Sequence, residues 1–188
     1  MNGERIWSAE EVARLQGVEL AGYHDQYAAA SPEMVEALGI TSREVAGADC
    51  HSVRARPGSI LWNHAFGLGQ GAPATEAALD EICAFYDGEG TQACIALTPD
   101  AGPAELEGWM RARGFSLGYA WRKFCRAADG PVPDAASDLV IGEIGPGADA
   151  DEFGRIVALA FETPPEFGPW LARLVGRPGW RCFLARGL

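Results

Sequence analysis

Three glycines at alternate positions, Gly67, Gly69 and Gly71, separate the apolar segment Ile60–Phe66 from a helix-forming stretch that runs to Tyr86. Glycine admits positive φ and lets another group approach the main chain closely. Successive N–H groups in such a loop can form a nest for an anion, and a following helix N-terminus adds the positive end of its dipole. Gly67, Gly69, Gln70 and Gly71 are therefore candidate phosphate-binding residues. The same stretch carries opposing signals. Pro73 removes one N–H donor. Glu76, Asp80 and Glu81 put carboxylates on the first helical turns, and no lysine or arginine occurs from Phe66 to Tyr86. Such a loop either grips a phosphate or only joins a strand to a helix.

Other residues offer less defined chemistry. His64 lies on the apolar segment, as a general base or as a half-buried, hydrogen-bonded histidine. His24 and His51 read as surface or hydrogen-bonding residues. Ser59, His64 and Asp80 could be strung into a triad, but no nucleophile-elbow sequence frames the serine. Arg111, Arg113, Arg122, Lys123 and Arg126 form a local basic excess, suited to a phosphate or to a solvated helix end and edge strand. Glu162 and Glu166 flank the Pro164-Pro165 break, where carboxylates suit a cationic amine or simply solvent. Cys50, Cys83, Cys94, Cys125 and Cys182 are scattered with no close pair, which argues against a zinc site and for small core thiols in a reducing compartment.

The totals bound the function class. The chain has 188 residues, 48% hydrophobic, with a net charge of −11. That length and composition support a globular core without staples. The acidic balance argues against a nucleic-acid surface. No apolar run reaches membrane-spanning length and no leader pattern opens the chain, so a cytoplasmic protein without membrane association is expected.

The elements that must position these residues follow from local signals. Ser8 and Glu11 have capping-box spacing and predict a short helix with Val12 and Leu15 inside. Ser31-Pro32 opens another helix, which Gly39 closes. Residues from about 43 to 56 predict a weak strand, Arg56–Ser59 a turn, and Ile60–Phe66 a stronger strand paired with the first. After the glycines, Ala78, Ile82 and Phe85 share a helical face beside Leu79, Cys83 and Tyr86, ending near Gly90. Ala93–Leu97 predicts a covered strand. Pro103 predicts a helix with Leu106, Trp109 and Met110 inward and Gly114 as its cap. A strand over Phe115–Cys125 and a linker over 127–137 follow. Beyond lie a strand over Asp138–Ile144, a helix with Phe153, Ile156, Val157, Ala160 and Phe161 inward, a second with Phe167, Trp170, Leu171, Leu174 and Val175 inward, and a strand over Trp180–Arg186.

The order strand, glycine loop, helix, strand, helix, Gly-Phe, strand resembles the C-terminal half of an acetyl-CoA-dependent N-acetyltransferase of the GNAT superfamily. The residues that carry the likeness are Phe66–Tyr86 and Leu106–Phe115; Asp138–Leu184 resembles the N-terminal half of such a domain. The resemblance implies an α/β (α+β layered) fold, a mixed, mostly antiparallel sheet flanked by helices on both sides. It implies a degenerate domain or half-domain over 1–127, a linker over 128–137, and over 138–188 the start of a second domain, as in bacterial tandem GNAT proteins, or the completion of one permuted domain. It implies acetyl transfer from acetyl-CoA, as co-substrate, to a small-molecule amine or peptide N-terminus. The alternative is a non-catalytic pseudo-acyltransferase module that binds a partner or forms a homodimer. The family's loop opens with Arg or Gln three residues before Gly-x-Gly; here His64 and Phe66 precede Gly67 and Gly69 at that spacing. The family's tyrosine acid corresponds to Met110. These departures imply a chain that is incomplete or degenerate for catalysis, with no catalytic residue assigned.

Overall fold

The computed structural model describes residues 8–98, 101–121 and 137–187. The linker segment and Arg122, Lys123, Phe124, Cys125 and Arg126 lie almost wholly outside them, Ser137 apart. The fold is α+β, with six helices and two small antiparallel sheets among the described residues. None of those helices is long and apolar enough to cross a membrane.

The capping box at Ser8 is formed, with Ser8 and Glu11 each bonding the other's backbone, and helix α1 runs from Ala9 to Ala28. It is therefore long rather than short, because nothing in that stretch breaks it. Helix α2 spans Pro32–Leu38 between the Ser31 cap and left-handed Gly39. Strands β1 (Ile40–Val45) and β2 (Ala48–Val53) form a hairpin around Ala46-Gly47, with φ of 49° and 80°. One weak strand was expected there. The turn escaped because alanine at positive φ is not the usual signal of a two-residue hairpin loop.

Strand β3 is only His64–Phe66, antiparallel to β2 with His64 opposite His51. Ile60–Asn63, expected as strand, is turn, because Trp62 N–H and Asn63 N–H both donate back to the Ser59 carbonyl. Residues 93–97 contribute a single parallel bridge, Ala65 to Ile95, rather than a full strand. Helix α3 spans Glu76–Glu89, capped by Thr75 and by left-handed Gly90, and buries Leu79, Ile82, Phe85 and Tyr86. Helix α4 spans Leu106–Ala112 with Leu106 and Met110 buried, and Gly114 at φ 84° follows it. Residues 115–121 form no ladder; Leu117, Tyr119 and Trp121 are exposed.

The second sheet pairs β4 (Leu139–Glu143) with β5 (Phe183–Gly187). Between them run α5 (Ala148–Ala160) and α6 (Phe167–Ala172). Helix α6 buries the face expected of it. Helix α5 does so only in part: Phe153 and Val157 are half-buried against the apolar clusters, Ile156, Ala160 and Phe161 are exposed, and the fully buried positions are Ala150, Gly154 and Ala158. The cause is proximity. A Cβ on Gly154 would lie 2.1 Å from the Gly168 carbonyl oxygen and 2.9 Å from the Ala172 nitrogen, so the two helices meet backbone to backbone.

The three-stranded sheet separates two apolar clusters. Ala48, Cys50 and Ala65 face α3 and α4. On the other side, Tyr27, Leu38, Ile40, Val53 and Trp62 pack with Ala158, Phe167, Trp170, Leu171 and Leu174. The second cluster joins residues 8–66 to the C-terminal helices. Polar bonds reinforce it: Trp170 Nε1 donates to the Gln26 carbonyl at 2.8 Å and Arg173 Nε to the Ala29 carbonyl at 2.6 Å. The Arg177 guanidinium and the Trp180 indole N–H both bind the Asp25 carboxylate, and the Arg177 hydrogen bond holds the Asp25 pKa below its usual value.

Two glycine-to-alanine changes should diverge in sign. Gly154→Ala should cost about 1–3 kcal/mol by forcing α5 off α6. Gly108→Ala, in the middle of α4 with nothing near its Cβ position, should gain about 0.5–1 kcal/mol from helix propensity. Urea denaturation of both variants measures this; equal effects would contradict the described packing.

Candidate functional site

The glycine loop sits where β3 and residue 95 part. Ala65 accepts from Ala96 N–H at 2.9 Å and donates to the Cys94 carbonyl at 2.8 Å, after which the chain turns at Gly67. Gly67, Gly69 and Gly71 all have positive φ, at 91°, 76° and 73°. Their expected conformational role is present. Leu68 between them is buried and anchors the loop to the core under α3.

Part of the loop's polar backbone is turned to internal use. Gln70 N–H donates to the Gly67 carbonyl, Ala72 N–H to the Gln70 carbonyl, and Ala74 N–H to the Gly102 carbonyl. Gly102 N–H returns a bond to the Gly69 carbonyl at 3.1 Å. A Cβ on Gly69 would lie 2.6 Å from the Gly102 oxygen. The close approach that glycine permits here is taken by another stretch of this backbone.

Helix α3 has a side-chain cap at its start. The Thr75 hydroxyl accepts from Ala78 N–H at 3.1 Å. A cation does arrive there from distant sequence: Arg113 donates to Asp80 at 2.6 Å and to Glu76 at 3.1 Å. One guanidinium between two carboxylates leaves a net negative helix start. The Arg113 hydrogen bond lowers the Asp80 pKa, and the two carboxylates raise that of Arg113. Met110 is buried in the same cluster and has no proton to give.

No Ser–His–Asp relay forms, since Asp80 is bound to Arg113 while the buried His64 Nε2 has no partner. Glu162 and Glu166 are exposed around the turn between α5 and α6, with Glu162 at φ 52°. Cys50 and Cys182 are buried, Cys83 and Cys94 partly so, all as free thiols; burial pushes the Cys50 pKa up to about 12.

The sequence reading missed one arrangement. On the α1 side of the sheet, all three histidines converge. The His51 and His64 rings lie 5.2 Å apart, and those of His24 and His51 5.4 Å. Tyr23 lies 4.5 Å from His64 and stacks 4.9 Å from Phe66, while Tyr27 lies 4.5 Å from His51. His24 does bond at the surface, to Asp49 at 2.7 Å. His51 is not a surface residue: it is fully buried, and its Nδ1 meets the Ser42 hydroxyl at 3.0 Å. His64 is also fully rather than half buried. The Nε2 atoms of both lack partners. Burial pushes the His51 pKa down to about 3 and the His64 pKa down to about 4, so both rings are neutral at pH 7. Two period-two positions facing one helix, His51 and Val53, with a histidine on the next strand, were the available signal; histidine's polarity hid it. Among the described residues no three His, Cys, Asp or Glu side chains are arranged to hold a metal ion.

Asn63 sets this geometry. Its Oδ1 accepts Val53 N–H at 2.8 Å, and its Nδ2 donates to the Arg56 and Ser59 carbonyls at 2.7 and 2.9 Å. The fully buried carboxamide thus closes the connection between β2 and β3.

Comparison with protein-family models, with curated proteins and with solved structures finds no match to this chain.

Asn63→Ala should destabilise the protein by about 1–3 kcal/mol, because it strands the buried Val53 N–H and removes the side-chain bonds to the Arg56 and Ser59 carbonyls, which keep their backbone donors. Chemical denaturation checks the magnitude, and a loss below about 1 kcal/mol would show that water replaces the carboxamide.

Proposed function

We propose that this chain belongs to an acetyl-CoA-dependent N-acetyltransferase of the GNAT type, and that residues up to Trp121 supply a scaffold unit that does not itself grip the cofactor. The observation that carries the first half is the single parallel bridge between Ala65 and Ile95, opening directly onto the glycine loop and α3. A strand pair that touches once and parts beside a helix N-terminus has the layout of an acyl-CoA cleft. The order of α1, α2, β1, β2, β3, loop, α3, residue 95 and α4 supports it. So does the recurrence of helix, helix, strand in α5, α6 and β5, with Pro-Glu before or at the start of the shorter helix both times. Among the described residues the two sheets share no strand, which favours two units in tandem over one permuted domain.

The non-binding half rests on the loop. Acetyl transfer to an amine requires the thioester and its pyrophosphate to be held while backbone N–H groups stabilise the developing oxyanion. Here the loop bonds to itself and to Gly102, and the helix start carries Glu76 and Asp80. The chemistry of a complete enzyme, with its amine acceptor, would reside outside this unit.

Calorimetric titration with acetyl-CoA tests both halves. The chain should show no saturable binding below about 1 mM, equivalent to about −4 kcal/mol. Replacing Gln70–Thr75 with Arg-x-x-Gly-x-Gly and removing the Glu76 and Asp80 charges should bring binding into the micromolar range. Micromolar binding by the natural chain would overturn the scaffold role. A folded graft, checked by circular dichroism, that still ignores acetyl-CoA would overturn the family reading.

A further inference from the structure

We propose that the His51–His64 layer is an acid-sensitive latch that holds α1 and, through it, the C-terminal helices against the three-stranded sheet. The layer lies at the seam between two halves of the molecule. Beneath it, Cys50 and Ala65 belong to the cluster under α3. Above it, α1 presents Tyr23, His24 and Tyr27. The same helix holds the C-terminal helices through Gln26, Ala29 and Asp25. A change confined to the seam therefore acts on α1 and α6 together and spares α3.

Backbone bonds with Ile60 and Leu61 reach His64 and the Ser42 hydroxyl reaches His51 Nδ1, but neither Nε2 has a partner to receive a further proton. From α1, Tyr23 has its pKa raised to about 12 and Tyr27 has its own raised well above the usual value, both by burial, so neither supplies an anion. Glu19, one turn before Tyr23, acts on the tyrosine. From β2, Asp49 is already bonded to His24. From β1, Ser42 is taken by His51 Nδ1. His64 on β3 and His24 on α1 both face His51 on β2, so a proton on either opposes one on His51. From α3, Tyr86 donates its hydroxyl to the His51 carbonyl and belongs to the opposite face. Cys50, on that face too, is a neutral thiol.

Burial depresses both histidine pKa values, so the docked state favours neutral rings. Stability is fully present above the unfolded value near 6.5 and falls as pH drops below it, because the released histidines take protons that the docked ones refuse. At pH 5 each ring should favour release by about 30-fold, and the pair by about a thousandfold.

Hydrogen exchange on the full chain, compared at pH 7.5 and pH 5 after correction for intrinsic rates, reads this directly. Protection of residues 9–28 and 167–180 should fall about a thousandfold, while that of 76–89 holds. His64→Gln should reduce the loss to about 30-fold, and Asp49→Asn, which alters the His24 pair at the edge of the layer and leaves both buried rings in place, should leave most of the loss. Equal loss in α3 would mean global acid unfolding, and retained protection in α1 would mean the rings accept protons in place; either result overturns the latch. If His64→Gln does not fold, the segmental pattern in the natural chain still decides.

Discussion

A single buried carboxamide sets the geometry on which the described structure depends. Ten residues separate β2 from β3, and irregular backbone of that length has many ways to close. Asn63 removes the choice by pairing with Val53 at one end of the connection and with Arg56 and Ser59 inside it. An amide in an apolar interior must satisfy both ends or lose several kcal/mol, so these bonds hold as a set. The register that follows puts His64 opposite His51 and Ala65 level with Ile95. Both features of functional interest, the histidine layer and the parting strand pair, are therefore consequences of where Asn63 sits.

The join between the N-terminal and C-terminal portions rests on helix-end chemistry as well as burial. The last carbonyls of a helix have no partner within it and carry the negative end of its dipole. Helix α1 has no basic residue in its own last turn. Trp170 and Arg173 reach its final turns from far along the chain and donate to the Gln26 and Ala29 carbonyls. Trp170 is also fully buried against Tyr27 and Trp62, so its indole contributes area and direction at once. The Asp25–Arg177 pair is about a third exposed at each partner and adds orientation more than stability.

What the sequence made legible were features carried by neighbouring residues. Ser8 with Glu11, Ser31 with Pro32, Gly39 and Gly90 marked real helix ends, because capping involves residues three or four apart. The α5 face was illegible for the opposite reason. Hydrophobicity selects Ile156 and Phe161, but α6 comes so near that only Gly154 and Ala158 fit between the backbones. The hairpin was hidden by Ala46, an unusual residue for positive φ, and the histidine layer by a residue type that reads as polar. The site was legible in part. Gly67, Gly69 and Gly71 adopt the conformations their type suggests. Their partner Gly102 and the ion pair from Arg113 come from more than thirty residues away, where no local rule reaches.

The loop shows why glycine spacing cannot by itself identify a phosphate site. Positive φ and the absence of a Cβ allow an approaching group to come close, but they do not choose the group. A phosphate competes with whatever else can supply acceptors to the same N–H groups. At the Ala74 N–H the competitor is the Gly102 carbonyl, already tethered to the chain, while the Gly69 carbonyl accepts the Gly102 N–H. An internal partner pays no association entropy, whereas a dissociated anion must overcome that cost and the repulsion of Glu76 and Asp80. Stability of α3 owes nothing to a ligand either, since Leu79, Ile82, Phe85 and Tyr86 fill its inner face. A loop placed in this way is held by its own internal contacts, and selection on the fold alone is enough to maintain it.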